Sequence, residues 1–134
     1  MIHQFDLKVY YEDTDMGGIV YYANYLKFIE RARSTLVEEL GVDQLRLQST
    51  GVVFAVRDIS AQYLAPARMG DNLLVCSRVI VTTAARWVLE QIINRDGMVL
   101  FTAEVTIVMI GMKGVTDTTS ERTSPNVAAV KTFL

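Results

Sequence analysis

Three carboxylic acids lie close together near the start of the chain: Glu12, Asp13 and Asp15. A carboxylate held beside an electrophile can act as a nucleophile or as a general base for water. The acids follow a predicted strand and precede a predicted helix, whose N-terminal N–H groups can polarise a carbonyl oxygen. The same acids also favour the positive end of a helix dipole and stabilise turns. The segment therefore predicts either acyl chemistry or a structural turn.

The remaining composition excludes most other catalytic arrangements. The chain of 134 residues has one histidine, His3, and one cysteine, Cys76. A Ser-His-Asp or Cys-His arrangement needs a histidine beside its nucleophile, and a zinc site needs three or four ligands, so we predict no metal site. Neither Gly-x-Ser-x-Gly nor a phosphate-binding P-loop occurs. We expect His3 at the surface and Cys76 in the core, and an enzyme would have to use carboxylates, tyrosines and backbone amides.

Glycines and tyrosines follow the acids. Gly17 and Gly18 permit positive φ and let a bound group approach the backbone, although a turn alone would also explain them. The cluster Tyr21-Tyr22-Ala23-Asn24-Tyr25 offers three hydroxyls and flat apolar surface. Tyrosines at helical spacing are more often core residues than ligand contacts, so both readings of this cluster stay open.

The elements that position this segment follow from hydrophobic periodicity. Apolar residues recur at steps of three and four from Tyr22 to Leu40, which predicts a helix about 28 Å long. Asp96-Gly97 is the strongest hairpin turn, and the second strand alternates imperfectly enough to admit a bulge. Strands are predicted at Ile2–Tyr10, Val52–Leu64, Leu73–Thr83, Arg86–Arg95 and Met98–Ile110. The predicted class is α+β, with one long helix wrapped by a five-stranded antiparallel sheet.

Composition also bounds the domain organisation and the partners. Half of the residues, 51%, are hydrophobic, which predicts a single domain over residues 1–134 with a polar, loosely held tail over 113–134. The 13 basic and 15 acidic residues form no basic stripe, which argues against nucleic acid. The sequence has no signal-peptide pattern and no run of 18 apolar residues, so we expect a cytoplasmic protein without a membrane span.

The sequence resembles a known family of enzymes. Residues 9–25 (VYYEDTDMGGIVYYANY) and 28–33 (FIERAR) closely resemble the hot-dog-fold thioesterases of the Tol-Pal-associated acyl-CoA thioesterase branch, and 4-hydroxybenzoyl-CoA thioesterases share the outline. Residues 53–57 (VFAVR) and 63–68 (YLAPAR) extend the match, which covers roughly residues 2 to 112. The resemblance implies hydrolysis of acyl-CoA thioesters to free acid and CoA. It implies no cofactor, because CoA is part of the substrate.

The resemblance also implies roles for individual residues. Asp15 matches the catalytic carboxylate, which acts as nucleophile or as general base. The backbone amide at or next to Tyr22 would polarise the thioester carbonyl, and Tyr11 would be an auxiliary residue. The Tol-Pal branch commonly has histidine at the position of Tyr22, whereas the hydroxybenzoyl branch has tyrosine. A backbone role survives that difference, but a side-chain acid-base role does not.

Further expectations concern substrate contacts and assembly. We expect substrate-binding residues at Gly18, Val20, Tyr25, Arg57 and Arg86. The two arginines, with Arg68 and Lys113, are candidates for the CoA phosphates, although each could be an ordinary solvated charge. Arg31 and Arg33 are expected only to complement Glu30 and nearby acids on the helix. The family implies a side-by-side dimer, often paired into a tetramer, with active sites at subunit interfaces.

Three other functions compete with the thioesterase prediction. The first is a non-catalytic module of the same fold that binds acyl-CoA or an acyl carrier protein. The second is a hot-dog hydratase or dehydratase, which would need a histidine paired with an acid, and His3 is badly placed for that role. The third, a partner role beside Tol-Pal, rests on the family association alone.

Overall fold

The structure, a computed structural model, describes residues 2–111, so the predicted tail lies outside the described residues. The helices are α1 (Asn24–Glu39) and α2 (Gln44–Ser49), and a 3-10 turn spans Tyr11–Asp13. The strands are β1 (His3–Lys8), β2 (Val52–Tyr63), β3 (Asn72–Thr82), β4 (Arg86–Arg95) and β5 (Met98–Gly111). They form one antiparallel sheet in the order β1-β3-β4-β5-β2. The predicted α+β class and hot-dog arrangement are confirmed.

The core lies between α1 and the inner face of the sheet. Residues spaced by three and four along α1 are buried, as the periodicity predicted: Tyr25, Phe28, Ile29, Ala32 and Leu36. Alternate residues of β5 are buried opposite them: Phe101, Ala103, Val105, Ile107 and Met109. Neither helix within residues 2–111 is long and apolar enough to cross a membrane.

Two local predictions about the sheet are confirmed. Asp96 and Gly97 join β4 to β5, with φ of 52° and 85°, the positive values that a tight hairpin turn of this kind requires. The pairing of β2 with β5 shifts register between Val56 and Asp58, where a bulge was predicted. Because β1 and β2 are the outer strands, each leaves one edge of the sheet without a neighbouring strand from residues 2–111.

The helix boundaries differ from the prediction. The predicted helix over 22–40 is observed as Asn24–Glu39, so Tyr22 lies in a turn before α1. The Tyr21 N–H donates to the Asp13 carbonyl at 3.0 Å, and the Asn24 N–H donates to the Tyr21 carbonyl at 2.8 Å, which holds that turn. The short helix α2 was not predicted. The Asp43 side chain caps it by accepting from two backbone N–H groups, a common N-cap arrangement.

Two polar residues are buried although the sequence did not predict their burial. His3, expected at the surface, lies on the inner side of β1, and its Nε2 is 3.1 Å from Glu39 Oε1 at the far end of α1. Arg33, expected only to complement acids on the helix, is 8% exposed, and its Nη1 donates to Gln91 Oε1 at 3.0 Å. Cys76, expected in the core, is only partly buried on β3.

Candidate active site

The acidic segment folds back on itself as a short hairpin. The Asp15 N–H donates to the Ile19 carbonyl at 2.9 Å, and the Gly18 N–H donates back to the Asp15 carbonyl at 3.0 Å. Thr14 and Val20 form an antiparallel bridge below them. Gly18 has φ of 79°, which L side chains rarely adopt, so the turn itself requires this glycine. The backbone of the hairpin, defined here as residues 13–21, is therefore held by its own hydrogen bonds.

The three acids have different surroundings. Asp13 is buried, and its carboxylate accepts from the backbone N–H three residues earlier at 2.8 Å. Asp15 is exposed, and its Oδ1 accepts from the Gly17 N–H at 2.8 Å. Within residues 2–111, Oδ2 of Asp15 has no hydrogen-bond partner. The Asp13 carboxylate thus caps the 3-10 turn before the hairpin, whereas Asp15 presents a fixed carboxylate with one oxygen available for chemistry.

The hairpin is joined directly to the start of α1. The Asp13 carbonyl accepts from the Tyr21 N–H at 3.0 Å and from Asn24 Nδ2 at 2.9 Å. Across residues 2–111, the backbone N–H groups of Tyr22 and Ala23 have no hydrogen-bond acceptor. Two consecutive free donors before a helix can receive a negatively charged oxygen. The resemblance implied an oxyanion-donating amide at or next to Tyr22; two amides without an acceptor within residues 2–111 lie there, and their role stays a prediction.

Two predicted substrate-binding residues lie inside the core. Tyr25 is buried, and its hydroxyl accepts from the Ala67 N–H at 3.0 Å. The ring of Tyr25 stacks on Phe101, with 5.2 Å between centroids. Val20 is also buried, and its N–H donates to the Ala67 carbonyl at 2.9 Å. Val20 thus ties the segment 65–71 to the hairpin and Tyr25 ties it to α1, while their contact with substrate stays a prediction.

Exposed tyrosines lie along the hairpin and the turn before α1. Tyr11 is 80% exposed, and its carbonyl accepts from Thr14 Oγ1 at 2.8 Å. Tyr22 is also exposed, with its ring 4.9 Å from that of Tyr21. The sequence did not single out Tyr63, whose hydroxyl donates to the Tyr22 carbonyl at 3.0 Å. Its position at the start of the matching YLAPAR segment was the only indication of a role.

The predicted phosphate-binding arginines do not lie together with Asp15 in one copy of the chain. Arg86 pairs with Val108 of β5, and Val56, beside Arg57, pairs with Ile107, so both arginines lie near one end of β5. Tyr63 is the residue of β2 that contacts the turn before α1, and it lies six residues, or roughly 20 Å, farther along the strand than Arg57. Arg68 lies nearer, because it forms a bridge with Ile19 of the hairpin. Lys113 is outside the described residues.

A groove of about 210 Å³ lies between the middle of α1 and β2. Residues of both elements line it, among them Glu30, Arg33, Val37, Phe54 and Val56. Asp15 is not among its lining residues. In a single copy of the chain, the carboxylate therefore lies on an open surface of the hairpin.

Comparisons with known proteins agree on one family. A family model described as the thioesterase-like superfamily matches residues 9–130. The acyl-CoA thioester hydrolase YbgC of Escherichia coli O6:H1 is 36% identical over 110 residues, which are 81% of this chain and 82% of that protein. The acyl-CoA thioesterase YbgC of Haemophilus influenzae is 35% identical over 109 residues, covering 81% and 80% of the two chains.

Solved structures show the same fold. A probable thioesterase from Bartonella henselae superimposes with a TM-score of 0.81 at 33% identity, over 86% of this chain and 96% of that one. A DHNA-CoA thioesterase from Staphylococcus aureus gives a TM-score of 0.90 at 20% identity, over 98% and 90% of the two chains. At 20% identity, the match to the Staphylococcus aureus structure shows only that the two chains share a fold.

Proposed function

The chain belongs to the thioesterase-like superfamily, and we propose that it hydrolyses acyl-CoA thioesters to a free acid and CoA. One observation carries the proposal: a carboxylate with a free oxygen lies on a hairpin that is hydrogen-bonded to the start of α1, where two amides have no acceptor within residues 2–111. Asp15 supplies the carboxylate, and the N–H groups of Tyr22 and Ala23 supply the donors. Substrates of this class have an electrophilic carbonyl whose oxygen becomes negatively charged during the reaction.

In this mechanism the thioester carbonyl oxygen accepts from the Tyr22 and Ala23 amides while its carbon faces Asp15. As nucleophile, Oδ2 bonds to the carbonyl carbon and the C–S bond breaks, releasing CoA thiolate, which takes a proton from water. Water then hydrolyses the resulting anhydride and regenerates Asp15. As general base, Asp15 instead takes a proton from the attacking water and passes it to the departing sulfur. Both routes yield the acid and CoA.

Asp15 suits this role better than its neighbours. Asp13 is buried and its carboxylate already accepts the Tyr10 N–H, so attack by this carboxylate would break the contact that caps the 3-10 turn before the hairpin. The Gly17 N–H holds Oδ1 of Asp15 at 2.8 Å and restricts the carboxylate to one orientation. A Cβ at Gly17 would lie 3.3 Å from that oxygen, so glycine here lets the backbone approach the carboxylate closely.

The proposal includes a homodimer, itself paired into a tetramer in the manner of the family. No strand within residues 2–111 pairs with the outer edge of β2, and Val56, Ile59 and Tyr63 on this strand are partly exposed. Long edge strands with apolar side chains favour pairing with another strand. Antiparallel pairing of two β2 edges with Ser60 opposite Ser60 would place Arg57 of the partner subunit opposite Tyr63 of the first copy. The CoA phosphates would then meet an arginine of the second copy in addition to Arg68 of the first.

The test compares thiol release by the wild type and by Asp15→Asn with a panel of short, long and aromatic acyl-CoA thioesters. Asparagine keeps an acceptor for the Gly17 N–H but removes the nucleophile and base, so kcat should fall at least about 10²- to 10³-fold. Asp96→Asn is the matched control, because Asp96 is an exposed turn residue far along the chain, and it should retain full activity.

Near-normal rates for a folded Asp15→Asn variant would refute the assignment. Binding of acyl-CoA by the wild type without thiol release would instead identify a binding module. Thiol release from the same acyl groups attached to acyl carrier protein would show whether the protein prefers CoA or acyl carrier protein as the thiol carrier. Single-turnover hydrolysis in ¹⁸O-labelled water identifies the nucleophilic route in which water attacks the Asp15 carbonyl of the anhydride, because one oxygen of Asp15 then leaves with the product in the first turnover.

A further inference from the structure

We propose that Tyr63 is a positioning residue, which acts through the Tyr22 carbonyl to hold the Ala23 N–H in place as an oxyanion donor. This inference rests on the proposed function, since it concerns the same amides. Tyr63 ends β2, whereas Tyr22 precedes α1, so the contact ties an edge strand of the sheet to the turn that carries the amides.

The peptide group between Tyr22 and Ala23 carries the argument. Its carbonyl oxygen accepts from the Tyr63 hydroxyl at 3.0 Å, and its N–H, that of Ala23, has no acceptor within residues 2–111. A hydrogen bond to the oxygen of a peptide group polarises the group and strengthens its N–H as a donor. The hydroxyl also restrains rotation of the peptide plane, and therefore fixes the direction in which the N–H points.

The preceding peptide group is arranged in the same way by a different donor. The Tyr21 carbonyl accepts from the Asn24 N–H at 2.8 Å, while the N–H of that group, on Tyr22, is free. For the Tyr22 carbonyl the backbone offers only the Tyr25 N–H at 3.4 Å, which is long for an N–H···O hydrogen bond. Tyr63 therefore supplies from a side chain the restraint that the backbone supplies one residue earlier.

The ring of Tyr63 is itself held in position. It packs edge to face against Tyr25 at 5.4 Å and against Phe101 at 5.0 Å between centroids. Partial burial raises the pKa of the Tyr63 hydroxyl, and the nearby Tyr22 and Tyr25 raise it further. The hydroxyl therefore stays protonated and donating at neutral and mildly alkaline pH.

The test is Tyr63→Phe, which keeps the ring and removes only the hydroxyl. Loss of a whole oxyanion donor costs on the order of 10²- to 10³-fold, so loosening one of two donors should lower kcat by about tenfold. KM should change less than twofold or so, because the donor acts mainly on the transition state. Tyr10→Phe is the control, because the Tyr10 hydroxyl has no hydrogen bond within residues 2–111, and its kcat should match the wild type.

An NMR measurement reports on the amides directly and needs no substrate. In Tyr63→Phe the ¹⁵N–¹H resonance of Ala23 should shift more than that of Tyr22. The Tyr22 N–H belongs to the peptide group between Tyr21 and Tyr22, to which the Tyr63 hydroxyl does not donate. Equal or absent shifts, or a wild-type kcat beside an inactive Asp15→Asn variant, would overturn the Tyr63 proposal alone. Full activity of Asp15→Asn would instead overturn the proposed function, whatever the Ala23 resonance does.

Discussion

Two polar regions contact α1, and they use their hydrogen-bonding groups in opposite ways. In the hairpin at the start of the helix, backbone groups bond to one another and the side chain of Asp15 remains exposed. In the middle of the helix, the buried network of Arg33, Gln91 and Ser77 bonds through side chains. Gln91 and Ser77 are completely buried. The hairpin leaves a carboxylate oxygen of Asp15 free to react, whereas the side chains of the buried network are engaged in hydrogen bonds with one another.

The difference separates activity from stability. A buried polar group that loses its partner costs more than one at the surface, because water cannot replace the lost bond. Changes in the buried network should therefore lower the free energy of unfolding and spare catalysis. Changes at the exposed carboxylate, such as Asp15→Asn, should instead lower kcat and leave the free energy of unfolding nearly unchanged.

The largest effect on stability is expected for Gln91→Leu. Gln91 accepts from Arg33 and donates to the Ile29 carbonyl at 3.0 Å and to Ser77 Oγ at 2.9 Å. Leucine leaves all three groups without this partner, including a buried guanidinium. We expect a loss of roughly 3 kcal/mol in the free energy of unfolding, measured by urea denaturation. The kcat per folded molecule should not change.

A double variant sharpens this prediction. Burial lowers the pKa of Arg33, and the nearby Glu30 only partly offsets that effect, so the charge itself is costly where it lies. Replacing both residues, as Arg33→Met with Gln91→Leu, removes the charge together with its partner. The pair should be more stable than Gln91→Leu alone, because apolar side chains often replace a buried charged group without loss. Strict additivity of the two single changes would contradict coupling within the network.

An intermediate effect on both properties is expected for Asn24→Ala. Asn24 Nδ2 donates to the Asp13 carbonyl at 2.9 Å and thereby joins the hairpin to α1. Its loss should cost about 1 kcal/mol of stability. Because the hairpin carries Asp15, a looser junction should also lower kcat by about tenfold. Parallel urea titrations and thiol-release assays would measure both quantities.

Thr35→Ala is the matched control on the same helix. Thr35 Oγ1 donates to the Arg31 carbonyl at 3.0 Å, so this variant also loses one side-chain hydrogen bond to a backbone oxygen. Thr35 lies about three turns beyond the junction. It should lose little stability and no activity. An unchanged kcat in Asn24→Ala would mean that the junction does not position Asp15.

The sequence predicted the fold well where one kind of local pattern decided the structure. Periodicity identified α1, β-favouring composition between turn signals identified the five strands, and Asp96-Gly97 identified the turn between β4 and β5. The start of α1 was misplaced because Tyr22 fits the apolar periodicity, although its backbone belongs to a turn that pairs with Asp13. The helix α2 was missed because six residues are too few to show a period.

The site could be predicted only in part. The resemblance selected Asp15 from three neighbouring acids, but only the structure separates the buried Asp13 from the exposed Asp15. Tyr63 was missed because it is 41 residues from Tyr22 in sequence. The burial of His3 and Arg33 was missed because it depends on contacts with distant elements. Long-range packing of this kind leaves no local pattern in the chain.

The smallest effect is expected for Asp71→Asn, which tests the outer support of the hairpin. Asp71 Oδ2 accepts from Arg95 Nη1 at 2.7 Å and from the Arg68 N–H at 2.8 Å. Partial burial acts to raise the pKa of Asp71, but the hydrogen bonds from Arg68 and Arg95 and their charges outweigh it, so the pKa is lower than usual. A lowered pKa in the folded state means that the ionised carboxylate stabilises the fold.

That stabilisation is complete above the ordinary pKa, near 4, and is lost as the pH falls through the lowered pKa of the folded state. At pH 7 the variant should therefore be less stable than the wild type by about 1 kcal/mol or less. The difference should shrink towards zero in urea titrations below about pH 4. Asp58→Asn is the control, because Asp58 forms only an exposed pair with Arg57 at 3.8 Å. A difference for Asp71→Asn that grows as the pH falls would show that its carboxylate destabilises the segment beside the hairpin.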